Sequence, residues 1–289
     1  MTEHNISATA APTRPSLISR IARFPLTWMV VGAASIVVVN ALLLAPSKAA
    51  GPVPWALALG LLGSLAAPFI YRVVMRMLAR RAVPEMAVRR LAGEAAFGIA
   101  IGTAFIGISV LIVVALGGFS FHWSPDDVLG VVVPIIVVNL GAAIVEEFVF
   151  RGLVLQAVEQ LGGRWVALAI TSALFGIIHL GNPGATLWSG VAIAIQAGVL
   201  LGAAFLWRRN LWFAVGIHFA WNVGLALLGV SVSGHAAGGL FTVDVAGPAL
   251  LTGGDFGLEA SIVPVILGLV FAIPMLVLSR RAPEVTALR

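Results

Sequence analysis

Residues 129–161 read LGVVVPIIVVNLGAAIVEEFVFRGLVLQAVEQL, and this stretch decides the fold. Its first half is long and apolar enough to cross a bilayer, which takes about 20 residues of helix. The helical pattern continues past Glu146, Glu147 and Arg151 and stops at Gly162. At 1.5 Å of rise per residue, Glu146 lies about 15 residues, or roughly 22 Å, from the end of this helix at Leu161. Three charged side chains are therefore predicted inside the membrane, where an ionisable group is costly and usually has a function.

The composition of the whole chain agrees with a membrane protein. Of its 289 residues, 60% are hydrophobic and 10% are charged, whereas soluble domains carry roughly 25% charged residues. These values exclude a soluble enzyme, a disordered chain and a small disulfide-stapled domain. We attribute the net charge of +5 to basic residues in cytoplasmic loops, which orient a membrane protein, and we expect no nucleic-acid partner. The chain has no cysteine, which excludes disulfides, thiolate metal ligands and cysteine nucleophiles.

Long apolar runs recur along the chain. Eight of them are candidate spanning helices, at about 25–45, 53–75, 92–117, 129–157, 165–181, 187–207, 210–230 and 261–279. We therefore predict an all-α fold, a polytopic membrane protein with about eight transmembrane helices. Residues 21–281 are expected to form a single helical transmembrane domain, with cytoplasmic tails at 1–20 and 282–289.

The basic residues give an orientation to these spans. With eight spans, 15 of the 17 basic residues fall in loops and tails on one side. The opposite loops hold Lys48 and five acidic residues: Asp126, Asp127, Asp244, Asp255 and Glu259. The positive-inside rule then places both termini in the cytoplasm. We expect a multi-pass protein of the plasma (inner) membrane.

Three more polar side chains are predicted at a depth similar to that of Glu146. His179 lies roughly 21 Å past Trp165, and His218 and Asn222 lie roughly 12 and 18 Å into their helix. His218 and Asn222 are spaced i,i+4 and share one helix face. The common level is expected between the cytoplasmic surface and the middle of the membrane.

This set of side chains suits hydrolysis. A buried carboxylate can take a proton from water, and a histidine can hold that water. A second histidine and an asparagine amide can donate hydrogen bonds to an oxyanion. The same nitrogen and oxygen donors can instead ligate Zn²⁺, and the residue types alone do not separate the two.

Three motifs around these residues resemble the CPBP family of CAAX proteases and bacteriocin-processing enzymes, also called the abortive-infection family. The motifs are E-E-x-x-x-R at 146–151, F-x-x-x-H at 175–179 and H-x-x-x-N at 218–222, in that order and on separate predicted spans. The resemblance covers roughly residues 125–230, the motif core of the domain. It implies an intramembrane endopeptidase whose cavity opens toward the cytoplasm.

The resemblance also implies residue roles. Glu146 and His179 would activate the water, and His218 and Asn222 would hold the oxyanion. Three further residues would support the site: Glu147, Arg151 and Phe175. The substrate would be a membrane-associated peptide or protein in the lipid bilayer, and no feature of the sequence predicts a groove for a prenyl group.

Metal dependence has two interpretations within this resemblance. Family members are often described as metalloproteases, with Zn²⁺ that would here bind four residues: Glu146, His179, His218 and Asn222. The competing account is a glutamate-dependent protease with no cofactor. We favour the second, because the chain has no H-E-x-x-H motif and asparagine is an uncommon zinc ligand.

Structural interpretations of the same residues remain open. Glu147 and Arg151, at i,i+4, can simply neutralise each other. His218 and Asn222 can bond to neighbouring helices. The alternative function is a non-catalytic scaffold or immunity protein, or a proton-coupled transporter, because intramembrane Glu and His also suit proton relays. The outer segment 231–260 is expected to be a loop or a re-entrant piece.

Overall fold

The computed structural model describes residues 16–48, 53–124, 127–236 and 238–280. The α-helices in these ranges are α1 (Leu17–Arg23), α2 (Pro25–Lys48), α3 (Val53–Met77), α4 (Val88–Ala115), α5 (Val128–Glu147), α6 (Leu155–His179), α7 (Leu187–Ile193), α8 (Leu200–Arg208), α9 (Leu211–Leu227), α10 (Ala249–Thr252) and α11 (Ile262–Ser279). A first π-helical segment (Phe148–Val154) joins α5 to α6, and a second (Ala194–Val199) joins α7 to α8. Short 3₁₀ turns lie at Pro84–Met86, Gly254–Phe256 and Leu258–Ala260.

The predicted tails lie mostly outside the described residues. This holds for residues 1–15 of the N-terminal tail and for all of 282–289. Residues 17–20 belong to α1, whose N-cap is Ser16: its hydroxyl accepts a hydrogen bond from the backbone N–H of Ser19. The ordered helix therefore begins a few residues before the predicted end of this tail.

The longest continuous helical run, Val128–His179, contains two spans. Gly163 interrupts it with φ 79° and ψ 169°, a conformation that glycine adopts without a steric penalty. The rings of Phe150 and Phe175 lie 5.0 Å apart. A straight helix would separate these residues by about 37 Å, so the chain reverses at Gly163.

The number of spans agrees with the prediction from sequence. Among the described residues, six helical runs are long and apolar enough to cross a membrane. The reversal at Gly163 divides one of them in two, and α9 adds a shorter apolar helix of 17 residues. Eight passes result, which confirms an all-α polytopic fold.

Glycines bring α4 and α9 close together. A Cβ on Gly98 or Gly102 would overlap the carbonyl oxygens of Phe213 and Ile217, and one on Gly216 would overlap that of Ala95. Small residues at such crossings let helix backbones approach in a membrane. This contact fixes the helix that carries His218 and Asn222.

The two ends of the bundle differ in charge. We call one the arginine end: here Arg208 pairs with Glu94 at 2.8 Å, and Arg209 pairs with Glu159 at 2.6 Å. At the same end, the guanidinium of Arg280 lies 5.2 Å from the ring centre of Trp165, two residues after Gly163. Loops that are distant in sequence and rich in arginine therefore meet at one face of the bundle.

We call the opposite end the sheet end, because it carries two antiparallel strands, β1 (Phe119–Trp123) and β2 (Phe241–Val245). Phe119 pairs with Val245, and Trp123 pairs with Phe241. The prediction of helices alone missed this sheet. Its strands are five residues each, so their alternating pattern gives a weak signal next to spans of about 20 residues.

The segment 231–260 is more structured than the expected loop or re-entrant piece. It contributes β2, the one-turn helix α10 and two 3₁₀ turns. It then leads into α11, where the hydroxyl of Ser261 caps the helix by accepting from the backbone N–H of Val263 at 3.1 Å. This segment covers the part of the bundle where the three motifs meet.

Candidate active site

Glu147 is the last residue of α5, and its side chain is fully buried. Its Oε1 accepts a hydrogen bond from Nη1 of Arg151 at 3.0 Å, which forms the i,i+4 ion pair that the spacing predicts. The first π-helical segment begins directly after Glu147. Such π segments are rare and frequently occur at functional sites, and no sequence pattern predicted this one.

The same oxygen of Glu147 holds His218. Nδ1 of His218, on α9, lies 2.9 Å from Oε1 of Glu147. An ionised carboxylate can only accept, so Nδ1–H is the donor. Nε2 of His218 then points to the other carboxylate and lies 3.9 Å from Oε2 of Glu146. Glu147 therefore sets the ring orientation of a histidine 71 residues further along the chain.

Arg151 extends this network to a third part of the bundle. Its Nη2 donates to the carbonyl oxygens of Ala197 at 3.1 Å and Gly198 at 3.2 Å, in the second π-helical segment. Its guanidinium also lies 4.7 Å from the ring centre of Phe175, a cation–π arrangement. One arginine thus ties together both π segments and α6.

Phe175 and His179 bring the second motif to the same place. Nδ1 of His179 lies 2.6 Å from the carbonyl oxygen of Phe175. A carbonyl can only accept, so Nδ1 carries the hydrogen and the neutral ring keeps a lone pair on Nε2. The ring of Phe175 packs on the rings of both His179 and His218, at 4.7 and 6.2 Å between centres.

The four predicted catalytic residues line one cavity of about 360 Å³. His179, His218 and Asn222 are 6–7% exposed, whereas the side chain of Glu146 is 30% exposed toward the cavity. Oε2 of Glu146 has no hydrogen-bond partner among the described protein atoms. This oxygen is itself buried, so it is the accessible remainder of the side chain that meets the cavity and can receive water or substrate.

Sequence reasoning missed Glu259, which it placed among the outer acids. This residue is 3% exposed and lines a smaller cavity shared with four motif residues: Phe175, His179, His218 and Asn222. Its Oε2 accepts from the backbone N–H of Ser233, and its backbone carbonyl accepts from Nε2 of Gln196. Burial raises the pKa of the Glu259 carboxyl to about 7, and the hydrogen bonds from Ser233 oppose that shift. A carboxyl in a Gly-rich loop gave no signal of burial, because its partners are distant in sequence.

The residues do not form an evident metal site. Within the described ranges, no group of three or more His, Cys, Asp or Glu side chains is arranged to hold a metal ion. Nδ1 of His179 and of His218 already donates a hydrogen bond to a protein oxygen, so only Nε2 of each ring could bind a metal. Nε2 of His218 lies 3.9 Å from Oε2 of Glu146. Zinc ligands lie about 2.0–2.2 Å from the metal, and hence about 3.3 Å from each other in a tetrahedron. Nε2 of His218 and Oε2 of Glu146 would therefore have to approach each other before both could bind Zn²⁺.

The position of the cavity corrects one combination of predictions. Asn182, Val232, Ser233 and His235 form its rim, and all of them belong to the sheet end. His179 is the last residue of α6, at the far end of that helix from Gly163. The expected combination of cytoplasmic arginines with a cavity open to the cytoplasm is therefore wrong, because the two features lie at opposite ends of the bundle.

Comparison with known protein families agrees with this site. The family model described as type II CAAX prenyl endopeptidase Rce1-like matches residues 128–224, about a third of the chain, and it is part of the CPBP family of intramembrane proteases. This region belongs to the CPBP family. No curated protein and no solved structure matches the chain. The CPBP region runs from α5 to α9 and contains all three motifs, whereas Gly98, Ser233 and Glu259 lie outside it.

Proposed function

We propose that this protein is an intramembrane endopeptidase that hydrolyses a peptide bond in a membrane-associated protein or peptide. The observation that carries the proposal is the shared cavity of Glu146, His179, His218 and Asn222 within a region of the CPBP family. Glu146 lines the cavity, whereas Oε1 of Glu147 is bound by Arg151 and His218. The two neighbouring carboxylates therefore have different roles.

In the first step, Glu146 takes a proton from a water molecule as the water oxygen attacks the carbonyl carbon of the substrate. His179 holds that water through the lone pair of Nε2, since its Nδ1–H is bound to Phe175. The carbonyl π bond opens, and the negative charge moves to the former carbonyl oxygen.

In the second step, the tetrahedral intermediate collapses. While it exists, the side-chain amide of Asn222 and Nε2–H of protonated His218 donate to its oxyanion. The C–N bond then breaks, and Glu146 passes its proton to the leaving nitrogen. The products are a carboxylic acid and an amine, and Glu146 is regenerated as a carboxylate.

The decisive variant is Glu146→Gln, which keeps the size of the side chain but cannot accept the proton. We expect loss of cleavage by roughly 10²-fold or more, the size of a general-base contribution. The control is Glu159→Gln, a similar change at the arginine end, where Glu159 pairs with Arg209. Comparative membrane proteomics of the two variants should show uncleaved substrates accumulating with Glu146→Gln alone.

Two results would contradict the proposal. One is a folded Glu146→Gln protein that cleaves its substrate at the wild-type rate. The other is solute or proton flux in liposomes together with no peptidase activity, which would favour the transporter alternative.

A further inference from the structure

The distribution of charge between the two ends has a consequence for the substrate. In sequence, the segments 116–127, 180–186 and 228–261 on the side of the sheet contain five acidic residues and no lysine or arginine, and Lys48 is the one basic residue predicted on that side. The arginine end gathers basic side chains in and beside the α3–α4 and α8–α9 connections, each paired with a glutamate there: Arg81, Arg90, Arg208 and Arg209. This asymmetry is therefore a property of the folded bundle as well as of the sequence.

The sheet end is held together as one body around the rim of the cavity. The side-chain amide of Asn182, after α6, donates to the carbonyl oxygen of Ser233 at 2.9 Å. Glu259 binds the backbone N–H of Ser233 from the other side. The turn that contains Ser233 is thus held between the loop of Asn182 and the segment of Glu259. The rim of the cavity therefore lies at the sheet end.

The cavity also has an open flank. Val138 on α5 is 62% exposed, Ile178 on α6 is 52% exposed, and both line the cavity. These helices pack on different neighbours: α5 on α3 and α9, and α6 on α7 and the second π-helical segment. A substrate chain can therefore reach Glu146 from the sheet end and from the lipid beside it.

We infer that the active-site cavity opens on the extracytoplasmic side of the membrane, so the substrate is a membrane-anchored protein cleaved in a segment on that face. The positive-inside rule assigns the arginine end to the cytoplasm, and the rim lies at the other end. The statement about the substrate rests on the proposed function. The orientation of the cavity does not depend on it. Cytoplasmic C-terminal tails are excluded as substrates by the same geometry.

The natural lack of cysteine makes the orientation directly measurable. Single cysteines are placed at exposed sites: His235→Cys and Ala246→Cys at the sheet end, and Ala82→Cys and Gln160→Cys at the arginine end. Intact cells are treated with a membrane-impermeant maleimide, and detergent-solubilised protein serves as the control for thiol reactivity. We expect positions 235 and 246 to be labelled in intact cells, and positions 82 and 160 only after the membrane is opened.

The opposite pattern, with positions 82 and 160 labelled in intact cells, overturns the inference. Labelling of positions 235 and 246 only in opened membranes overturns it as well. Neither readout needs catalysis, so the result is separate from the fate of the proposed function. An active Glu146→Gln protein with the expected labelling would remove the peptidase proposal and leave the orientation standing.

Discussion

Oε1 of Glu147 lies 2.9 Å from Nδ1 of His218, across the interface between α5 and α9. The same oxygen binds Nη1 of Arg151 at 3.0 Å, so one buried carboxylate balances a cation and orients a histidine. Removing it has two separable effects. One is the free-energy cost of leaving Arg151 unpaired, and the other is the loss of a defined position for Nε2 of His218.

The first prediction concerns Glu147→Gln. Breaking a buried ion pair costs about 3–5 kcal/mol in the free energy of unfolding. Loss of the histidine position should lower kcat by roughly 10²-fold, the order expected when a catalytic group is misplaced. Thermal unfolding in detergent and cleavage assays measure the two effects.

A double variant, Glu147→Gln with Arg151→Met, separates stability from positioning. It removes the unpaired charge, so we expect stability to recover in part while kcat stays low. If activity returns together with stability, the role of Glu147 is structural only. Glu159→Gln serves as the control, because its partner Arg209 is 39% exposed and such pairs contribute about 0–1 kcal/mol.

The second prediction concerns the close contact of α4 and α9. Gly98→Ala places a methyl group against the carbonyl oxygen of Phe213, and overpacking of this kind costs about 1–3 kcal/mol. We also expect lower activity, since α9 carries His218. The matched control is Gly107→Ala on the same helix, where a Cβ meets nothing within 4 Å. That variant should stabilise the helix by about 0.5–1 kcal/mol, and equal melting shifts for both variants would contradict the packing argument.

The third prediction uses the raised pKa of Glu259, about 7 in the folded protein against an ordinary value of 4.5. Between these values the folded state holds a proton that the unfolded state has lost, so stability falls as pH rises from about 4.5 to 7. The full difference corresponds to about 3 kcal/mol. Of the charged groups nearby, Glu146 raises this pKa and His218 lowers it.

Melting temperatures of wild type and Glu259→Gln between pH 5 and 8 test this point. The variant should lose the part of the pH dependence that belongs to Glu259. Asp255→Asn, which removes an exposed carboxyl from the same segment, is the control and should follow the wild-type profile. Parallel profiles for wild type and Glu259→Gln would show that this carboxyl does not hold its proton in the folded state.

The fourth prediction concerns metal. We expect cleavage to survive thorough chelation, because the proposed steps use only the side chains of the cavity. Metal content measured on the active, chelated protein completes the test. Stoichiometric zinc in active protein, with activity lost on its removal and regained on its return, would contradict the metal-free mechanism.

The sequence was sufficient for the parts of this molecule that depend on regular spacing. Long apolar runs predicted the spans, and the i,i+4 relation of Glu147 and Arg151 predicted their ion pair. It did not predict the hydrogen bond between Glu147 and His218, because the two residues meet only through the packing of α5 on α9. Nor did it predict that Glu259 is buried, since a loop residue acquires its neighbours from tertiary structure alone.

The family motifs end at Asn222, but the cavity does not. Its rim needs the turn at Ser233, and that turn is held by Glu259, near the start of the last span. During synthesis, the ribosome has therefore produced every catalytic side chain before the enclosure that admits a substrate can form. A chain interrupted after α9 would carry the complete set of reactive groups without a finished chamber around them, so the final segment decides when the protein becomes competent.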